Sequence, residues 1–433
     1  MRPPALHIGA IAVAAALVLA PAAVASAAPS AANQHPHAVL IGGNLKENAE
    51  ILQTIVDLAD PDGAGPRKAR IAIVTAAAPA ARTAGDAADD SKNNAAANGL
   101  YYSALFQSYG AETYAVPIDT GVDFPGDTYT PANASDPAVA AEIAASTGLF
   151  FGGGDQMRYV RTLFSCDDAE LEAYTDCTDT AAMTAIRQVA ARGVVSGVSA
   201  GLTIQQGADM ITGGESYEAW RDGAAAGYLD DERALGYLPY GGFGFVDGVL
   251  IDSHFTTWGR EGRAVKLALE TGHPYVLGID ETTAVVLDRT TGKGAVIGEH
   301  GTSVLDLTQA VTTESGVAGV RWSYASAGDG IRLGDTAGVV KGKDASPLKA
   351  RGSAAEPRTD MWDSLDGVGG AYTLRDLARE VVGSASRTGQ GVSFETGPRF
   401  ATTLTRDGAT AAWTTRAGAV SFAGLRMDIA TVD

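Results

Sequence analysis

The chain has 433 residues, 45% of them apolar, and a formal net charge of −19. That much apolar content excludes a wholly disordered chain. An acidic surface repels nucleic acid and anionic membrane, so neither is an expected partner, whereas a basic substrate would be drawn to it.

The first residues read as an export signal. Arg2 gives a positive start, Ile8 to Leu19 runs almost wholly apolar, and Ala25-Ser26-Ala27 supplies a small-residue cleavage site. The apolar run is too short to span a bilayer. A signal peptide over 1–27 and secretion are therefore expected, with 28–37 as a loose lead-in. Export bears on Cys166 and Cys177, the only two cysteines, with ten residues between them. In an oxidising compartment they are expected to pair, stabilising the fold by roughly 2–3 kcal/mol. Two cysteines with no histidine nearby fall short of a zinc site, so no metal is expected there.

From residue 38 onward, short apolar runs alternate with helical spacing. Strands are expected at Ala38 to Ile41, Arg70 to Val74, Glu112 to Val116, Gly148 to Phe151 and Gly193 to Val198. Helices are expected at Glu50 to Leu58, Leu100 to Tyr109, Ala138 to Ala145, Met157 to Phe164 and Thr180 to Arg192. Continuous apolar strands separated by helices indicate an α/β fold: a doubly wound, mostly parallel sheet with helices on both faces. Ligands of such sheets sit at the carboxyl ends of the strands, where Gly42-Gly43, Gly152-Gly153-Gly154 and Gly197 to Gly201 fall. After about residue 310 the texture changes. Residues 337–358 read as a linker or long loop. One helix (Thr373 to Val382) and alternating runs (Phe400 to Thr405, Ala411 to Thr415, Ala419 to Phe422) then suggest antiparallel strands. The division expected is 38–310 as the main domain and 311–433 as a C-terminal extension or small accessory domain with β character.

Gly197-Val198-Ser199-Ala200-Gly201 is a G-x-S-x-G sequence between a strand and a helical pattern, the context a nucleophile elbow requires. The helix start behind the serine favours developing negative charge. A serine nucleophile needs a base. Of the six histidines, His7, His35 and His37 lie in the leader or lead-in, and His273 and His300 sit in turns. His254, just after the apolar run Val249 to Ile251, is the expected base. The base needs a carboxylate to fix its tautomer; Glu215, Glu218, Asp209 and Asp252 are all near in sequence, and spacing does not choose among them. An oxyanion hole would draw on the Ala200 N–H and on Gly153 and Gly154. On these residues alone, esterase, lipase and peptidase chemistries are equally open.

Five blocks in order resemble the cyanophycinase branch of the serine peptidase family that includes dipeptidase E: Ile41-Gly42-Gly43; Phe151-Gly152-Gly153-Gly154-Asp155-Gln156; Val198-Ser199-Ala200-Gly201; Asp252-Ser253-His254-Phe255 with Gly259-Arg260-Glu261-Gly262-Arg263; and Gly278-Ile279-Asp280-Glu281-Thr282-Thr283-Ala284. The resemblance covers roughly 38–310. It implies a class I glutamine amidotransferase-like fold, Ser199 as nucleophile, His254 as base, and Glu218 as the acid, with Glu215 as the alternative. It also implies that Gln156, Asp252, Ser253, Arg260 and Arg263 contact substrate or border its groove. The implied substrate is cyanophycin, a poly-aspartate backbone carrying arginine on each β-carboxylate. It would be cut to β-Asp-Arg without metal or cofactor, and relatives suggest a homodimer. Two departures stand out. Ser253 replaces the family's usual glutamine and Trp258 its first arginine, which favours a second reading as an Asp-specific or isoaspartyl peptidase. A non-catalytic binding protein on the same fold is the third.

Overall fold

The computed structural model describes residues 36–63, 68–166, 177–351, 354–367 and 369–432. The expected leader, 1–27, lies outside them. Five parallel strands stand side by side in the order β1, β5, β4, β2, β3, where β1 is His37–Ile41, β2 Arg70–Val74, β3 Glu112–Ala115, β4 Gly148–Phe151 and β5 Val194–Val198. All five match the apolar runs of the sequence. Beyond β1 the sheet continues antiparallel through Thr283–Asp288, Lys293–Gly298, Gly330–Arg332 and Gly338–Val340, giving nine strands. The sheet is therefore mixed.

Burial explains the continuous apolar pattern. Val39 and Ile41 of β1 pack with Ile51, Leu52 and Ile55 of the helix Ala49–Ala59, while Ala38 and Leu40 pack on the opposite face with Met157, Val160 and Ile186. Side chains alternate across a strand, so a strand covered on both faces needs apolar residues at every position.

A second sheet of ten strands begins with β6 (Leu250–Asp252), parallel to β7 (Tyr275–Ile279). It then runs antiparallel through Gly301–Asp306, Gly316–Ser326, Val420–Val432, Arg399–Thr405 and Thr388–Val392. Residues beyond 310 thus continue a sheet begun before 260. They also share its core: Val265, Val276 and Leu305 lie in one cluster with Trp322, Leu377, Phe422 and Ile429. Within the expected linker, Gly338–Val340 and Ser346–Pro347 each pair in a sheet. Cys166 and Cys177 form a disulfide between two short paired strands. No helix among the described residues is long and apolar enough to cross a membrane.

Candidate active site

The site gathers at the carboxyl end of β1. Three successive carbonyls there each accept a backbone N–H from a different loop: Ile41 O from Ser199 (3.0 Å), Gly42 O from His254 (2.6 Å) and Gly43 O from Thr282 (2.9 Å). Both glycines are required by close approach. A Cβ on Gly42 would lie 2.1 Å from Asp280 O, and one on Gly43 would lie 2.2 Å from His254 Cε1.

Ser199 leaves β5 at φ 57°, ψ −117° and starts the short helix Ala200–Thr203. Such a conformation costs a non-glycine residue about 1–3 kcal/mol. It persists because the flanking glycines let backbone touch backbone: a Cβ on Gly197 would sit 2.1 Å from Gly201 O, and one on Gly201 2.1 Å from Phe151 O. His254 (φ 50°), Thr282 (φ 50°) and Asn44 (φ 44°) are likewise left-handed, so four of the eight such non-glycine residues among those described meet around one point.

A chain of hydrogen bonds results. Ser199 Oγ lies 2.7 Å from His254 Nε2, and His254 Nδ1 lies 2.7 Å from Glu281 Oε1. Asn44 Nδ2 donates to Glu281 Oε2 at 3.1 Å. Glu281 is held below the usual carboxylate range, first by the hydrogen bond from His254. An ionised carboxylate only accepts, so Nδ1 carries the proton and Nε2 is left to accept from Ser199. Burial pulls His254 below its ordinary value of 6.5, outweighing the opposing pull of Glu281. The imidazole is therefore neutral at neutral pH, as a general base must be. Trp258 stacks on it with ring centroids 4.1 Å apart, and the Arg260 guanidinium lies 4.5 Å from the Trp258 centroid.

The carboxylate that meets His254 is Glu281, so the expected assignment to Glu218 or Glu215 is corrected. Glu218 lies on the helix Ser216–Asp222, in a crevice lined by Arg233, Trp362 and Glu395. Glu215 is raised by burial and sits in the fields of Arg263 and Arg260. Asp209 pairs with His273 instead (2.8 Å). Glu281 was within a recognised block, and the signal that finds it is positional: like Ser199 and His254, it follows the end of an apolar strand.

Around the nucleophile, a Cβ on Gly153 would lie 3.4 Å from Ser199 Cβ, whereas one on Gly154 would meet Ala77 O at 2.2 Å. Gly153 thus borders the serine and Gly154 packs away from it. Ala200 opens its helix, so its N–H has no intrahelical acceptor.

Of the residues expected to contact substrate, Asp252 and Arg263 are turned to each other. Arg263 donates through Nε (2.9 Å) and Nη2 (2.7 Å) to Asp252, and through Nη1 to Gly214 O (2.6 Å), with both residues buried. Asp252 Oδ1 also accepts from Ser253 N–H (2.8 Å). This pair holds the segment leading into His254, and its charges are spent on each other. Arg260 donates from Nη1 to Ser253 O (2.9 Å), and burial pushes its guanidinium down to about 10. Its Nε is buried without a partner among the described residues. Ser253 is buried, with Thr203 and Arg260 as neighbours. Gln156 donates to Ile211 O (2.8 Å) and lines an open cavity of about 540 Å³ with Gly154, Asp155, Asp230, Asp231 and Glu232. Among the described residues, no group of three or more His, Cys, Asp or Glu side chains is placed to hold a metal ion.

No protein-family model matches the chain. It is similar to cyanophycinases of Trichormus variabilis and of a Nostoc species, each 30% identical over 177 residues, which is 40% of this chain and 50% of the relative. The chain thus matches about half the length of these curated relatives. A solved peptidase from an acI-B1 Actinobacterium aligns over 69% of this chain and 98% of its own, with a TM-score of 0.44 and 17% identity, too loose a likeness to carry a functional statement.

Two outcomes are expected. Protonated His254 cannot accept the serine proton, so activity falls as pH drops through its pKa. Because burial lowers that pKa, the acid limb of a kcat/KM profile has its midpoint below 6.5; a midpoint above 6.5 contradicts the environment described. Gly43→Ala drives a methyl into the imidazole. Displacing the base in this way lowers the rate by about 100-fold or more in steady-state assays.

Proposed function

We propose that the protein is a secreted serine-type peptidase of the cyanophycinase kind, with Ser199, His254 and Glu281 as its catalytic residues. The observation that carries this reading is the hydrogen-bond chain from Ser199 through His254 to Glu281. In the mechanism that follows, Ser199 Oγ attacks the scissile carbonyl carbon while His254 Nε2 takes its proton, and Glu281 stabilises the imidazolium. The carbonyl oxygen gains charge facing the N–H groups of Gly153 and Ala200. On collapse the C–N bond breaks, the leaving amine takes the proton from His254, and an acyl-serine remains. Water, deprotonated by His254, attacks that ester and frees Ser199. No step draws on a metal or cofactor.

Cyanophycin as the substrate, with β-Asp-Arg as the product, is favoured by two neighbouring features. The cavity beside Gly154 and Gln156, where Asp155, Asp230, Asp231 and Glu232 outnumber Arg158, suits a guanidinium, and the Arg260 guanidinium on the Trp258 ring places a cation near His254 for a carboxylate. An Asp-specific or isoaspartyl peptidase is the second reading. It is favoured by Ser253 and Trp258, and it keeps the same three catalytic residues. Secretion is supported by the disulfide and by the leader-like sequence. The class I glutamine amidotransferase-like fold of 38–310, with 311–433 as a C-terminal extension built onto its sheet, and a homodimer belong to the same proposal.

Purified protein incubated with cyanophycin granules is expected to release β-Asp-Arg, identified by mass spectrometry, while Ser199→Ala releases none. Hydrolysis of isoaspartyl peptides but not of cyanophycin selects the second reading. Full activity in Ser199→Ala contradicts both and leaves a non-serine mechanism. Loss of all hydrolysis over a broad peptide panel points to a binding protein.

A further inference from the structure

The segment beyond residue 310 reaches the catalytic residues through one buried carboxylate. Asp280, the neighbour of Glu281, is fully buried. Its Oδ1 accepts two bonds from Thr256, from N–H (2.9 Å) and Oγ1 (2.7 Å). Thr256 lies two residues past His254, so Asp280 ties the histidine loop to the glutamate loop. Its Oδ2 belongs to the C-terminal segment. The Tyr324 hydroxyl, on the strand Gly316–Ser326, donates to it at 2.7 Å. Arg375 Nη1, on the helix Thr373–Gly383, stands 3.8 Å away. The arginine is itself fixed. Its Nε and Nη2 donate to Asp376, and its guanidinium lies 3.8 Å over the Tyr372 ring. Tyr372 closes the circuit by donating its N–H to Thr256 O at 2.9 Å.

We propose that Tyr324 and Arg375 are positioning residues: through Asp280 they hold the Thr256 and Glu281 backbones in the register that keeps His254 between Ser199 and Glu281. This rests on the serine-hydrolase reading above and adds a task for the C-terminal segment that lies outside the resemblance.

The electrostatics fit the task. A buried carboxylate without a compensating charge is costly. The other acid facing Asp280 is Glu261, fully buried, with both oxygens unpartnered among the described residues. Burial pushes Glu261 up to about 8, so it is mostly uncharged at neutral pH and competes little for Arg375. Asp280 meets three neutral donors and has the Arg375 guanidinium nearby. Removing Tyr324 or Arg375 leaves Thr256 and the Glu281 backbone on a carboxylate that has lost part of its restraint, and a displacement near 1 Å at reacting groups costs about 100-fold in rate.

The test uses the full chain and a fluorophosphonate, which phosphonylates an activated serine with loss of fluoride whatever the natural substrate. The maximal labelling rate and the half-saturating concentration are measured for wild type, Tyr324→Phe, Arg375→Met and Arg375→Lys. Arg321→Met serves as a control: it breaks an ion pair with Asp407 on the same strand as Tyr324. Melting temperature is measured for each. Tyr324→Phe and Arg375→Met are expected to lower the maximal rate about tenfold with half-saturation unchanged. Arg375→Lys recovers most of the rate, and Arg321→Met labels like wild type. Wild-type labelling in folded Tyr324→Phe, or rates in Arg375→Lys as low as in Arg375→Met, would overturn the inference. If Arg375→Met fails to fold, Tyr324→Phe, which removes one oxygen, decides. Absence of labelling in wild type itself would instead defeat the serine-hydrolase reading, and this inference with it.

Discussion

Three consecutive carbonyls at the end of β1 fix the whole site. Ile41, Gly42 and Gly43 each accept one N–H, from Ser199, His254 and Thr282 in turn. Ser199, His254 and Glu281 come from loops far apart in the chain, and this short stretch sets their spacing. Backbone bonds of this kind hold position without side-chain freedom, and their net worth is modest, about 1 kcal/mol each. The arrangement tolerates no side chain at Gly42 or Gly43. It also holds Ser199, His254 and Thr282 in left-handed conformations that only a strongly determined surrounding can maintain.

Around that hub, burial decides the charges. His254 is desolvated enough to remain neutral despite an adjacent carboxylate. Glu281 stays ionised because His254 and Asn44 both donate to it. Deeper in, Asp252 and Arg263 neutralise each other where an unpaired charge would be costly. Asp280 does the same work on the other side with neutral donors and Arg375. The hydrogen-bond chain is thus flanked by two buried acids, Asp252 before His254 and Asp280 before Glu281, each satisfied by groups from another element.

Four of the five parallel strands were legible because both their faces are buried, which writes a continuous apolar run; the edge strand Glu112–Ala115 is only partly covered. That Ser199 and His254 would meet was legible because an elbow demands small neighbours and histidine is scarce in the chain. The carboxylate facing His254 was missed for a physical reason. Sequence proximity left four acids open and the resemblance pointed to Glu218, but strand ends, not sequence neighbours, meet in a sheet. Glu218 and Glu215 are close in the chain yet lie on another wall. The ten-stranded sheet was only partly legible: the alternating runs past 310 read as strands, but the pairing that sets Gly316 opposite Ala430 leaves no local signal. The contacts of Tyr324 and Arg375 with Asp280 had no sequence signal, since they join residues distant in the chain across a neighbouring strand and from a helix.

The central claim is that Glu281, and not Glu218, serves His254. The most direct measurement compares the rate at which a fluorophosphonate labels Ser199 in Glu281→Ala and in Glu218→Ala, with both variants shown to be folded. The account predicts a loss of about 100- to 10,000-fold for Glu281→Ala and a rate near wild type for Glu218→Ala. A large loss in Glu218→Ala with labelling preserved in Glu281→Ala would contradict it.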